Sequence, residues 1–121
     1  MVILLVDDVP DVRLVHRSML EDLGHEVIEA ASGREAIRLA VASPPDTILM
    51  DLSMPDVDGL AAVAALRAIS PLREVPVIAV TAFPQFVSRE KALAAGCAAY
   101  LQKPFSIESL AMILQSFEGS T

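Results

Sequence analysis

A chain of 121 residues with 54% hydrophobic side chains is long and apolar enough to bury one core without disulfide or metal staples. Its 16 acidic and 9 basic residues leave a formal charge of −7, which argues against the basic footprint of sequence-independent nucleic-acid binding. Cys97 is the one cysteine, so a disulfide framework is excluded and a reducing, cytoplasmic home is expected, and no stretch approaches the ~20 apolar residues of a membrane span.

Met1 to Val6 is too short for a signal-peptide core. Val2 to Val6 reads instead as a buried strand, and it stops at Asp7 and Asp8. Pro10 suits the first turn of a helix, where no backbone donor is needed. Val12, Val15, Met19, Leu20 and Leu23 keep helical spacing, and Gly24 supplies the stop. From His25 to Ala30 a shorter strand mixes Val27 and Ile28 with Glu26 and Glu29, as an edge strand does. Ser32-Gly33-Arg34-Glu35 is a capping box for a helix carrying Ala36, Ile37, Leu39, Ala40 and Val41, which Ser43-Pro44-Pro45 ends.

The third strand, Thr47 to Met50, is followed at once by Asp51. Pro55 and Asp58-Gly59 give turn chemistry before an alanine-rich helix from Leu60 to Ile69, broken by Ser70-Pro71. Pro76 leads a fourth strand, Val77 to Val80, that ends at Thr81. The following segment, Ala82 to Val87, is apolar for a loop. Phe86 is expected in the core, and Phe83 is open to either core or partner docking. A fourth helix is expected from Val87 to Ala95, with Gly96 as its stop and a fifth strand from Ala98 to Leu101. Gln102-Lys103-Pro104 follows, and Ser106 caps a last helix from Ile107 to Phe117, with Glu108 well placed against its dipole. Residues 2–117 are thus expected to form a single domain, with 118–121 a tail or the start of a linker.

Alternating strands and helices imply an α/β fold with an open, doubly wound parallel sheet covered on both faces. All strand C-termini of such a sheet lie at one edge, where ligands bind. That edge receives Asp7 and Asp8 from strand one, Asp51 from strand three, Thr81 from strand four and Lys103 from strand five. Each alone has an ordinary explanation: a turn aspartate, a β-forming threonine, a solvated lysine. Their conjunction at one edge is harder to dismiss.

Carboxylates ~4–5 Å apart repel by roughly 3–4 kcal/mol per pair at an effective dielectric of ~20, which a hard divalent ion relieves. Oxygen ligands favour Mg²⁺ or Mn²⁺. No His or Cys cluster suits zinc, and His16 and His25 read as structural. A metal beside a carboxylate, a hydroxyl and an ammonium suits a phosphoryl group. A carboxylate can itself be the nucleophile, and Asp51, on the central strand, is the candidate.

Leu5-Val6-Asp7-Asp8, Met50-Asp51-Leu52-Ser53-Met54-Pro55, Asp58-Gly59, Thr81-Ala82 and Lys103-Pro104-Phe105, in this order and spacing, closely resemble the receiver domain of two-component response regulators over nearly the whole chain. The resemblance implies a flavodoxin-like sheet of order 2-1-3-4-5 with five helices. It implies that Asp51 takes a phosphoryl group from a phosphohistidine on a sensor histidine kinase or histidine phosphotransfer protein. It implies Mg²⁺ on Asp8, Asp51 and the Ser53 backbone carbonyl, with Asp7 assisting through water. Lys103 then pairs with a phosphoryl oxygen beside a cis Lys103–Pro104 bond, Thr81 moves to hydrogen-bond the phosphoryl group, and Tyr100 is the switch aromatic that turns inward as Thr81 moves. Output would be a changed partner affinity on the face of helix four, strand five and helix five, in a monomer or a phosphorylation-dependent homodimer. Ser53 and Phe83 occupy positions that influence water attack on the phosphoryl group. Phe83 offers no polar group to orient that water, so slow self-dephosphorylation is expected.

Two rival classes fit less well. A carboxylate-nucleophile phosphatase normally carries a second Asp two residues on as general acid, and Ser53 stands there. A flavodoxin-like binding module needs a phosphate loop after strand one, where Asp7 and Asp8 would repel an anion.

Overall fold

The computed structural model describes residues 1–53, 59–84 and 87–118. Its elements alternate as β1 (Val2–Val6), α1 (Pro10–Asp22), β2 (Glu26–Ala30), α2 (Gly33–Ala42), β3 (Thr47–Asp51), α3 (Gly59–Arg67), β4 (Val77–Thr81), α4 (Arg89–Ala94), β5 (Ala99–Gln102) and α5 (Ile107–Glu118). The five strands form one sheet in the order β2-β1-β3-β4-β5, and every pairing is parallel. The expected doubly wound α/β fold and its strand order are therefore present. Among the described residues no helix is long and apolar enough to cross a membrane.

The continuous apolar runs are explained by burial on both faces. Because side chains alternate along a strand, each run divides between two layers. Leu4, Val6, Ile48, Met50, Val77 and Ala79 join Ala36, Ala40, Ala62, Val63 and Leu66 of α2 and α3. Ile3, Leu5, Leu49, Ile78, Val80 and Leu101 face the other way, onto Leu20 of α1 and Leu110 and Leu114 of α5. The alanines of α2 and α3 that are fully buried let those helices lie close on the sheet.

Helix boundaries follow caps more closely than apolar spacing. Ser32 Oγ accepts the Glu35 N–H at 3.1 Å, and Glu35 Oε1 reaches back to the Ala31 N–H at 2.7 Å, one residue before the cap itself. α4 begins at Arg89, not at Val87, because Ser88 is its cap and accepts the Lys91 N–H at 3.2 Å. Gly96, at φ 110°, supplies the left-handed turn after α4 that only glycine adopts without strain. α3 ends at Arg67 rather than Ile69, and β5 starts at Ala99, one residue later than expected. β3 and β4 each run one residue further than expected, so Asp51 and Thr81 are the terminal strand residues. Met54 to Asp58, Phe86 and the tail residues 119–121 lie outside the described residues, and with them the expectations for Pro55, Asp58 and a core Phe86.

Candidate acidic site at the carboxyl edge of the sheet

Strand register builds the site. β1 and β3 run side by side with Val6 opposite Met50, so the residues that follow, Asp7 and Asp51, emerge together. Asp7 is 1% exposed and Asp51 3%. Burying carboxylates to this degree is costly unless each has donors. Asp7 Oδ1 accepts the Val9 N–H at 2.9 Å, and its Oδ2 accepts Lys103 Nζ at 2.8 Å. Asp51 Oδ1 accepts the Ser53 N–H at 2.8 Å, and its Oδ2 lies 3.3 Å from Lys103 Nζ. Asp8 is the most accessible of the three, and its carboxylate has no hydrogen-bond partner among the described residues. One oxygen from each of Asp7, Asp8 and Asp51 lies within 4.8 Å of the others.

Lys103 is carried in from β5. Its own N–H donates to the Thr81 carbonyl at 2.8 Å, which ties the strand end to β4, and the Lys103–Pro104 peptide is cis as expected. One ammonium does not neutralise three carboxylates. Burial holds the Asp51 carboxyl above the usual aspartate value; the Ser53 N–H and Lys103 oppose this, and the charge of Asp7 adds to it. The remaining negative charge, the all-oxygen donor set and the open Asp8 carboxylate fit a hard divalent cation.

The hydroxyl and the aromatic ring sit beside this cluster. Thr81 is fully buried, its Oγ1 accepts the Phe83 N–H at 3.0 Å, and it lies 3.1 Å from Ser53 Oγ. Tyr100 is partly buried on β5 and donates its hydroxyl to the Val87 carbonyl at 2.9 Å, at the entrance to α4. Phe83, left open by the sequence, is 49% exposed.

Sequence reasoning missed the supports of the site. Arg13 Nη1 donates to the Asp7 carbonyl at 2.7 Å, while Arg13 Nε and Arg17 Nη1 both engage the Glu29 carboxylate. Burial alone would raise the Glu29 carboxyl, but the two guanidiniums bring it below its ordinary value. A Cβ on Gly59 would sit 2.6 Å from Leu52 Cα and 2.9 Å from the Asp51 carbonyl oxygen, so α3 is brought against the acidic strand end by the lack of a side chain. The chain signals this only through glycine at the start of a helix.

Neither histidine belongs to the acid cluster. His16 is buried, and its ring stacks on Phe105 with centroids 4.6 Å apart. Burial and the Lys103 charge push its pKa down, with Asp7 opposing. His16 stands four residues after Val12 and four before Leu20, so helical spacing already puts it on the inner face of α1. His25 is at the opposite end of the sheet, 3.1 Å from the N-terminal ammonium and 3.5 Å from Glu118. Cys97 is buried and its thiol is pushed up to about 11 by that burial, so it behaves as a small hydrophobe.

Known proteins share this fold. The pattern of the response regulator receiver domain matches residues 3–115. The polar-differentiation response regulator DivK of Brucella ovis is 41% identical over 103 residues, covering 85% of this chain and 84% of DivK. The receiver domain of the sensor histidine kinase PA1611 from Pseudomonas aeruginosa PAO1, solved with a magnesium ion coordinated in its active site cleft, superposes with a TM-score of 0.91 at 43% identity, over 98% of both chains. The chemotaxis response regulator CheY4 of Vibrio cholerae gives 0.86 at 34% identity, over 96% of this chain and 97% of that one. With an acid cluster, a lysine and a buried threonine gathered at the carboxyl edge of a 2-1-3-4-5 sheet, the chain belongs to the response regulator receiver domains.

Proposed function

We propose that Asp51 is the phosphoacceptor, that it takes a phosphoryl group from a phosphohistidine on a sensor histidine kinase or histidine phosphotransfer protein, and that Mg²⁺ (or Mn²⁺) serves the transfer. The observation that carries the reading is the donor set: three carboxylates within 4.8 Å, two of them buried, facing a single ammonium. Asp8 and Asp51, with the Ser53 backbone carbonyl, would hold the metal, and Asp7 would assist through water. The metal supplies positive charge to the oxygens of the transferring group.

The residues of the chain do the rest. An Asp51 oxygen forms the new P–O bond as the P–N bond to the donor imidazole breaks, and that imidazole keeps the electron pair and is reprotonated. Lys103 is held at 2.8 Å by Asp7, which fixes it beside Asp51 to receive a phosphoryl oxygen. Thr81 donates to another oxygen once it moves, and Tyr100 follows as the switch aromatic. The new group brings about −1.5 to −2 charges to the edge where Asp51, Thr81 and Lys103 meet. That charge biases the segment from Thr81 to α4, and the output is a changed affinity of the α4–β5–α5 face for a downstream protein, by a monomer or a phosphorylation-dependent homodimer. Direct contact with nucleic acid by this domain is not part of the reading, nor is turnover of a free metabolite. The proposed compartment is the cytoplasm, which suits a buried free thiol at Cys97.

The test is intact-mass measurement after incubation with acetyl phosphate. One phosphoryl adduct is expected, dependent on Mg²⁺ and absent in Asp51→Asn. An adduct that persists in that variant would refute the assignment.

A further inference from the structure

We infer that Ser53 is a positioning residue whose hydroxyl latches Thr81 in the resting domain, so that this contact sets how readily the site accepts a phosphoryl-shaped ligand; the inference rests on the receiver reading above. Ser53 touches both ends of the switch. Its N–H donates to Asp51 Oδ1 at 2.8 Å, and its Oγ lies 3.1 Å from Thr81 Oγ1. Strand pairing makes this meeting obligatory: Asp51 stands opposite Val80, and the Leu52 N–H donates to the Val80 carbonyl at 2.8 Å. Leu52 therefore continues alongside Thr81, the last residue of β4, and Ser53, one residue further, brings its hydroxyl to Thr81.

A hydroxyl has one hydrogen to give and two positions to accept. On Thr81 one accepting position is filled by the Phe83 N–H at 3.0 Å. Ser53 takes either the hydrogen or the second position. Thr81 is fully buried, so no water stands ready to replace a lost partner. To donate to a phosphoryl oxygen on Asp51, Thr81 must leave Ser53, because side chains move between discrete rotamers and a hydrogen bond does not survive such a step. Ser53 itself is exposed, so its hydroxyl turns to water once released. The latch thus opposes activation by the net worth of one neutral hydrogen bond, a factor of about two to ten in the equilibrium.

The chain carries its own reporter, since Tyr100 is the one tyrosine and there is no tryptophan. Its hydroxyl is bonded to the Val87 carbonyl, in the segment that must move. The experiment titrates beryllium fluoride, a tetrahedral phosphoryl mimic, into the purified chain in saturating Mg²⁺ while following tyrosine fluorescence. Ser53→Ala is expected to lower the half-saturating concentration about two- to tenfold. Ser53→Thr, which restores a hydroxyl, should bind the mimic more weakly than Ser53→Ala does. In a Thr81→Val background, which leaves nothing to latch and in which binding of the mimic is read by calorimetry because Tyr100 follows Thr81, Ser53→Ala should not change the affinity of that variant. Weaker or unchanged binding in Ser53→Ala overturns the latch. So does the same gain in the Thr81→Val background, or an equal gain in Mg²⁺ affinity measured by calorimetry without the mimic. If the parent chain gives no response at all, the receiver reading falls and the latch falls with it.

Discussion

The two edges of the sheet are built on opposite principles. At the amino edge the Arg67 guanidinium, from the last turn of α3, donates to the carbonyls of Leu72 at 3.1 Å, Arg73 at 3.0 Å and Val75 at 2.6 Å, and reaches the Gly96 carbonyl at 3.1 Å. One cation satisfies four acceptors and ties the α3–β4 connection to the turn before β5. At the carboxyl edge the balance is reversed. Three carboxylates crowd one lysine, and burial keeps the Asp51 carboxyl above its usual value. Stability is concentrated where no chemistry takes place, and the site retains uncompensated charge for a cation and a phosphoryl group to use.

Breaking the amino edge should have the largest effect. Arg67→Ala leaves four carbonyls to find other donors, and charge-assisted bonds are worth more than neutral ones, so a loss of about 2–4 kcal/mol in urea unfolding is expected. Arg67→Lys should recover little of it, because an ammonium cannot reproduce the fork of the guanidinium. Phosphoryl acceptance below the unfolding transition should be retained. A loss of adduct in folded Arg67→Ala would mean that the two edges are coupled.

A steric change at the carboxyl edge comes next. The Cβ of Gly59→Ala would meet backbone at 2.6 Å and 2.9 Å, so Leu52 and Asp51 must shift. Overpacking of this kind costs roughly 1–3 kcal/mol. Unlike Arg67→Ala, it should also slow adduct formation, which a time course by mass spectrometry measures directly.

The smallest effect has the opposite sign. Because the Asp51 carboxyl is raised in the folded chain, the fold holds that proton where the unfolded chain has released it. Stability therefore falls as pH rises from the ordinary aspartate range through the raised value, and at neutral pH the penalty is fully present. Asp51→Asn should raise the melting temperature in metal-free buffer at neutral pH. The advantage should shrink as the pH is lowered toward 3.8, the unperturbed aspartate value. An equal advantage at pH 4 and pH 7 would show that charge is not its source.

The same contrast explains what could be read in the sequence. The carboxyl edge was legible because strands rich in Val, Ile and Leu end on side chains whose chemistry differs sharply from what precedes them. Asp7, Asp51 and Thr81 are each marked by that change. Arg67 was not, since its partners are backbone carbonyls that any sequence would present. The contact of Ser53 with Thr81 depends on the register of β3 against β4, which apolar runs do not specify. The start of α4 was misplaced because Val87 extends the helical pattern while the Ser88 side chain is what caps it. Arg13 carries no signal of its own in the sequence, yet its fork holds the carbonyl of Asp7.

The lysine that shields the acid cluster is distant in sequence from the residues it serves, 96 positions from Asp7 and 52 from Asp51. Synthesis proceeds from the N-terminus, and domains begin to organise as they emerge from the ribosome. β1 and β3 can pair well before residue 103 exists outside the exit tunnel. The order in which the chain is made therefore makes Lys103 the last residue of the acidic site to be synthesised.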